Sequence, residues 1–353
     1  MVEYCKMVIK YSFFLIFIGL LSCDNNNYKD KIYYEMSFVE SLQISKELSL
    51  PFCMIVYDTL QVTAQEYLRR LYSNEKSLEK CIFNFVSINN AENRWYEKIL
   101  LSEVYPVACV FDLSGKLLDL IPGSSKESMS YLREVIATIE ANTEYHYNQK
   151  YGKEKLETIR QIDNIINLKF KVDDEINVVN EINVLLKDVC YPYILFLKLK
   201  NQLQFNDTVA AIATAKDLLK FDSAEDLLVY NDELMFANKI IDPDYDIETG
   251  PMIELDETLL NLHDCKVGRT LQLPINIVNK GKRPLKVSDI LMSCSCLKLT
   301  GPTKYLISPN RSVTIKIEFT PDISGNIFRE VYIASNAVNT PISTIEINAF
   351  AID

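Results

Sequence analysis

The order of apolar and polar positions divides the chain into three textures. From Tyr34 to Leu48 apolar residues recur at helical spacing (Met36, Val39, Leu42, Ile44, Leu48), and Pro51 follows. Phe52-Cys53-Met54-Ile55-Val56-Tyr57 is then continuously apolar, as expected of a strand covered on both faces. Thr63 fits an N-cap for a helix through Tyr72. A second buried strand is expected over Cys81–Ile88, a helix from about Asn93 to Val104, and a third strand over Val107–Phe111. Asp112-Leu113-Ser114-Gly115-Lys116 reads as a hairpin turn into Leu117–Ile121, and Ser125–Ala141 as a closing amphipathic helix.

The next stretch is helical throughout. Leu156, Ile159, Ile162, Ile165 and Ile166 form one stripe, and Asp173-Asp174-Glu175 is expected to open a further helix, with acidic groups where the helix dipole favours them. Tyr193–Leu203, Thr208–Phe221 and Ser223–Ile241 predict three more, joined closely enough to be antiparallel neighbours. They resemble helical-repeat pairs, but no period repeats, and a solenoid needs at least three similar units. Asp242-Pro243-Asp244-Tyr245-Asp246 reads as a linker. Beyond residue 250 the period drops to two. Strands are expected at Ile253–Leu259, Leu271–Ile277, Leu285–Leu291, Tyr305–Ile307, Val313–Phe319, Ile327–Ala334 and Ile345–Ala349, a count and spacing that fit an immunoglobulin-like sandwich. The expected fold class is therefore multidomain α+β: an α/β domain at 33–142, a helical spacer at 143–250 and an all-β sandwich at 251–353.

The N-terminus sets the compartment. Lys6 and Lys10 precede a short apolar run, Phe13–Leu21, and then Ser22-Cys23. A basic start, an apolar centre well under the ~20 residues of a spanning helix and a small residue before the cut form an export signal over residues 1–22. Leu20-Leu21-Ser22-Cys23 resembles the bacterial lipobox, which implies that Cys23 becomes the acylated first residue and that residues 23–32 form a polar tether. The formal charge of −11 becomes more acidic once Lys6, Lys10 and Glu3 are removed with the signal. Nucleic-acid binding, which relies on clustered Lys and Arg, is not expected.

The order α-β-α-β-α-β-β-α, with Tyr105-Pro106 before a strand, then Phe111-Asp112, Ser114-Gly115-Lys116 and Gly123, resembles the thioredoxin family. That resemblance implies a cis proline facing the site where the family carries Cys-x-x-Cys. Here the matching stretch, Asp58-Thr59-Leu60-Gln61-Val62-Thr63-Ala64-Gln65, holds no cysteine, so disulfide exchange is not expected there. Pro106 then has two readings: it preserves an inherited backbone turn, or the groove beside it binds extended peptide. In the C-terminal part, Asn279-Lys280-Gly281, Pro284-Leu285-Lys286-Val287, Ser293-Cys294-Ser295-Cys296, Ile307-Ser308-Pro309-Asn310 and Gly325, Val331 and Ser335-Asn336 resemble uncharacterised Ig-like domains related to PapD-like and abnormal-spindle modules, common in Gram-negative lipoproteins. The resemblance implies a fold and an envelope setting, with Ser295 standing where that family usually has glycine.

Thiol chemistry is the one chemistry the composition leaves open. Cys53, Cys81 and Cys109 lie in strand-like runs and read as buried small hydrophobes. Cys294 and Cys296 are spaced to face one side of a strand. They admit three readings: a redox pair, part of a metal set with His263 and Cys265, or two packed residues where a strand leaves the sandwich. Lys298 is the only cation near them in sequence. Two histidines, His146 and His263, nine glycines and no nucleophile or phosphate-loop motif leave little for conventional catalysis. No cofactor is expected, and the expected role is non-catalytic: a lipid-anchored protein at the Gram-negative cell envelope, on the periplasmic face or the cell surface, holding envelope or periplasmic protein partners. The competing reading is a thiol-disulfide oxidoreductase or chaperone that uses Cys294 and Cys296.

Overall fold

The computed structural model describes residues 31–59, 61, 64–71, 80–100, 102, 104–140 and 152–352. The export signal, Cys23, the Thr63 cap and His146 lie outside the described residues. The chain divides into two compact units, one holding the described part of Met1–Ser87 and Val104–His146, the other that of Ile88–Glu103 and Tyr147–Asp353. Residues 88–103 thus group with the second unit. Among the described residues no helix is long and apolar enough to cross a membrane.

The first unit is built on a five-stranded sheet in the order β1 (Ile32–Tyr34), β3 (Ile82–Ser87), β2 (Phe52–Tyr57), β4 (Val107–Phe111) and β5 (Leu117–Pro122). The first three strands run parallel, and β4 and β5 are antiparallel to their neighbours. The continuous apolar runs are explained by this placement: every residue of β3 and β4 is buried. One face packs against α2 (Ala64–Leu71) and α4 (Lys126–Glu140), with Tyr67, Leu71, Met129 and Leu132 meeting Cys53, Phe83, Phe85 and Val110. On the opposite side of the sequence pattern, Phe38 of α1 (Phe38–Leu48) stacks edge-on against Phe52 and Phe111. The expected helix from Tyr34 is shorter than its apolar period. Glu35 turns with φ 55°, its N–H donates to the Phe85 carbonyl at 2.8 Å, and Ser37 with Glu40 forms a reciprocal cap that starts α1 only at Phe38. Ile32–Tyr34 is thereby released to extend the sheet.

In the second unit, α3 (Arg94–Leu100) joins the helices α5 (Gly152–Asp173), α6 (Val179–Leu185), α7 (Pro192–Gln204), α8 (Thr208–Leu218) and α9 (Ala224–Ile241). Asp173 ends α5 where it was expected to open the next helix. Glu175 adopts φ 57°, and the Ile176 N–H returns to the Lys171 carbonyl at 2.8 Å, a left-handed close that terminates the helix. Asp173 is held by Lys169 and Lys200 at 2.6 and 3.1 Å; burial pushes its carboxyl up, but the two ammonium groups outweigh it and the net shift is downward. Inside this unit Lys98 of α3 and Glu233 of α9 form a pair at 2.6 Å, with side chains 9% and 5% exposed. Asp232, largely in solvent, lies 3.7 Å from the same ammonium group.

The C-terminal residues form two sheets on one apolar core. The four-stranded sheet runs β10 (Leu297–Thr300), β12 (Ser312–Phe319), β8 (Leu271–Asn279), β6 (Ile253–Leu255). The five-stranded sheet runs β11 (Tyr305–Ile307), β9 (Leu285–Met292), β13 (Gly325–Ser335), β14 (Ile342–Ile352), β7 (Leu259–Lys266). Ile275, Ile277, Ile315, Ile317 and Phe319 face Val287, Val331, Ile333, Ile345 and Ile347 across the core. Two strands, β7 and β10, escape the period-two pattern. The first pairs in parallel with β14 and breaks register beside it, and the second is four residues long.

Residues 242–246, expected as a linker, belong to a folded connection that runs on to Gly250. Tyr245 is buried, Asp246 accepts the N–H groups of Glu248 and Thr249 at 2.8 Å each, and Arg283 pairs with Asp242 while lying over the Tyr245 ring. The anchor is Asn279, fully buried, whose amide donates to the carbonyls of Arg283 and Ile307 at 2.7 and 2.9 Å and whose oxygen accepts from Gly281 at 2.9 Å. Lys280 and Lys282 N–H groups reach the Met252 and Gly250 carbonyls.

Candidate functional site

The two cysteines sit where the chain leaves the five-stranded sheet for the four-stranded one, between β9 and β10. Both flanks of this turn are fixed. Ser293 and Glu330 exchange hydrogen bonds at 3.0 and 2.9 Å, and the Thr320 N–H donates to the Cys296 carbonyl at 2.9 Å. Cys294 and Cys296 are joined as a disulfide across the single residue Ser295, with Cα atoms 5.3 Å apart. Cys296 is buried in the sandwich core, Cys294 is half-buried and Ser295 is exposed. The pair thus lies where a strand leaves the sandwich, and its sulfurs are bonded to each other.

A cation that sequence proximity did not reveal completes the site. Arg329 comes from β13, 33 residues on, and its Nε–H donates to the Cys296 sulfur at 3.0 Å. The same guanidinium donates to the Phe328 carbonyl at 2.8 Å and reaches Asp322 at 3.4 Å. Only the pairing of β9 with β13, Met292 opposite Val331, brings Arg329 to the turn. No local pattern carries that register.

The other residues singled out from the sequence are not assembled with this pair. His263 is exposed and Cys265 buried. In a straight strand they would share a face, but Asp264 between them turns with φ 56°, where β7 breaks register against Ala349 and Ala351. With the 294 and 296 sulfurs bonded to each other, neither is a thiolate ligand. Among the described residues no cluster of three or more His, Cys, Asp or Glu is placed to hold a metal. Burial pushes the thiols of Cys53, Cys81 and Cys109 up, and burial followed by Asp264 does the same for Cys265. Pro106 is buried at the head of β4 after a cis peptide bond. Its carbonyl accepts from Gly123 at 2.7 Å, and the preceding Tyr105 N–H donates to the Gln61 side chain at 3.2 Å.

The sandwich also presents an apolar outer surface. Phe328 lies opposite Asn348 and Phe350 opposite Asn326, so the two rings are diagonal neighbours on one face of β13 and β14. They are 52% and 47% exposed. Next to them β7 is the edge of the sheet, with no further strand beyond it among the described residues.

Residues 251–349 match the HYDIN/CFA65/VesB-like Ig-like domain family. The C-terminal part of the chain is an Ig-like domain. No curated protein is significantly similar to the chain. Among solved structures, a protein of unknown function from Porphyromonas gingivalis W83 is 23% identical over 31% of this chain and 50% of that one, with a TM-score of 0.27. This chain thus spans half the length of that protein. The seventh PapD-like domain of human CEP192 is 11% identical, over 31% of this chain and 89% of that one, with a TM-score of 0.26. The E. coli chaperone DraB is 14% identical over 29% and 55% of the two chains, with a TM-score of 0.22.

Proposed function

We propose that this chain is a lipid-anchored component of the Gram-negative cell envelope that binds other proteins through a surface on its Ig-like domain. The observation that carries the reading is the Ig-like domain's exposed apolar surface, Phe328 and Phe350, beside the free edge strand β7. An edge strand offers main-chain hydrogen bonds to an added strand, and neighbouring rings supply apolar contact. The anchor rests on the lipobox-like Leu20-Leu21-Ser22-Cys23. In this reading the first unit is thioredoxin-like without its cysteine pair. The strand order and the Tyr105-Pro106 step into β4 support that, and the stretch from Asp58 to Gln65 supplies no thiol. The sandwich edge is better supported as a partner surface than the groove beside Pro106, because the Tyr105 N–H there is already taken by Gln61.

A photoreactive amino acid placed at Phe350 or at Val209, which is exposed on α8, tests the reading in intact cells. Adducts specific to position 350, abolished by Phe328→Asp in the same chain, are expected. Identical adduct patterns from both positions would refute a binding surface on the sandwich. Cys23→Ser is expected to move the protein from the membrane to the soluble fraction; unchanged membrane retention would refute the lipid anchor.

A further inference from the structure

We infer that Cys294 and Cys296 form an exchange-active disulfide whose substrate is a thiolate, with Cys294 as the attacked sulfur and Arg329 holding the thiolate that leaves. The pair differs from every other described cysteine in the combination it presents. Cys53, Cys81, Cys109 and Cys265 are buried free thiols, and Cys190 is exposed but has no bonded partner sulfur. At the turn, by contrast, one cysteine of the bonded pair is half-buried while the other is buried, its sulfur accepting a guanidinium N–H at 3.0 Å. That asymmetry assigns the direction of attack. An incoming thiolate reaches Cys294, its sulfur bonds to the Cys294 sulfur, and the Cys294–Cys296 bond breaks with its electron pair passing to Cys296. The thiolate formed there lies against the Arg329 Nε–H, and a positive neighbour lowers the free energy of a thiolate and makes it the better leaving group.

A second thiolate then attacks the substrate sulfur of the mixed disulfide and releases Cys294. The net change oxidises two substrate thiols to a disulfide and reduces the pair by two electrons. Run backwards, the same steps let a disulfide reoxidise the pair. Asp322, 3.4 Å from the guanidinium, partly offsets its charge. The thiolate can belong to a small molecule or to a cysteine in a peptide, since the chemistry at the sulfur is the same.

The test uses the full chain without added reductant. Acid-quenched samples from a time course with glutathione, or with a short cysteine-containing peptide, are alkylated and the 294–296 fragment is read by mass spectrometry. A mixed disulfide on Cys294, with Cys296 alkylated, is expected. Arg329→Gln is expected to slow its formation about three-fold for each unit by which the leaving thiol's pKa rises, because only part of the thiolate charge has developed in the transition state, and Arg329→Lys to recover part of the rate. Reaction with either thiol source supports the assignment, and their relative rates distinguish the sources. Three results would each overturn it: free thiols at both positions before any thiol is added, a mixed disulfide on Cys296, or no reaction with either source. The wild-type adduct position decides the direction even if Arg329→Gln fails to fold.

Discussion

Replacing Lys98 by methionine is the sharpest test of how the second unit is held together. Lys98 and Glu233 are almost wholly removed from water and 2.6 Å apart. Methionine keeps the length and apolar stem of the lysine but strands the Glu233 carboxylate, and breaking a buried pair from one side costs about 3–5 kcal/mol. The reverse change, Glu233→Leu, costs less, because Asp232 at 3.7 Å remains as a partner for the ammonium. Lys98→Met with Glu233→Leu leaves no buried charge and should return to within about 1 kcal/mol of wild type, since apolar replacements of buried pairs are often neutral. The assay is urea unfolding followed by fluorescence of Trp95. It is the only tryptophan and lies in α3 of the same unit, so the signal reports this unit. At a slope of roughly 2–3 kcal/mol per molar urea, Lys98→Met should lower the midpoint by about 1–2 M. Burial raises the Glu233 carboxyl above its ordinary value, against the opposing pull of Lys98. A carboxyl whose folded value is raised binds its proton more tightly in the folded state, so its penalty is absent below the unfolded value and grows as pH rises through the folded one. The Lys98→Met deficit should therefore shrink on acidification from pH 7 towards 5. A loss under 1 kcal/mol, or a double variant as unstable as the worse single, would refute the reasoning.

Two further outcomes follow from packing and burial. A Cβ on Gly281 would stand 2.3 Å from the Gly250 carbonyl oxygen and 2.5 Å from the Met252 nitrogen, both backbone atoms that cannot swing aside. Gly281→Ala should thus cost about 2–4 kcal/mol, measured by the same Trp95 unfolding curve. Under native conditions a maleimide should label the exposed Cys190 and leave Cys53, Cys81, Cys109 and Cys265 unmodified until denaturant is added; rapid labelling of any of the four would contradict their burial.

The apolar pattern located the strands of the first unit because both faces of that sheet are covered, which writes continuous runs such as Phe52–Tyr57 into the sequence. It was blind to Ile32–Tyr34, whose three residues carry no period and owe their strand to the turn at Glu35. In the sandwich, alternation marked β8, β12 and β14. It passed over β7, whose inside-outside rhythm is broken at Asp264. The fold of 242–250 was hidden for a different reason. Proline and aspartate read as solvated chain, and what orders them is Arg283, about forty residues away, which pairs with Asp242 and lies over the Tyr245 ring. The site shows the same limit: the cysteine spacing was visible, but Arg329 reaches it only through a strand register.

These limits together relocate the thiol chemistry. A cysteine is useful for exchange only if a partner can reach it and something nearby stabilises its thiolate. The three free thiols among the described residues of the first unit satisfy neither condition, because each is buried and burial raises its pKa. The Gln61 side chain, in the stretch where the thioredoxin resemblance would place the exchange cysteines, instead accepts the Tyr105 N–H. The sandwich meets both conditions with two residues and one arginine: Cys294 open to an attacking group, Cys296 against the Arg329 guanidinium. Phe328, one half of the proposed binding surface, lies on the strand that supplies this arginine, since Phe328 and Arg329 are adjacent in β13 and alternate between the two faces of the sheet. Partner capture on the outer face and exchange at the turn can therefore be separated by mutation: Phe328→Asp should abolish the first and spare the second, and Arg329→Gln should spare the first and slow the second.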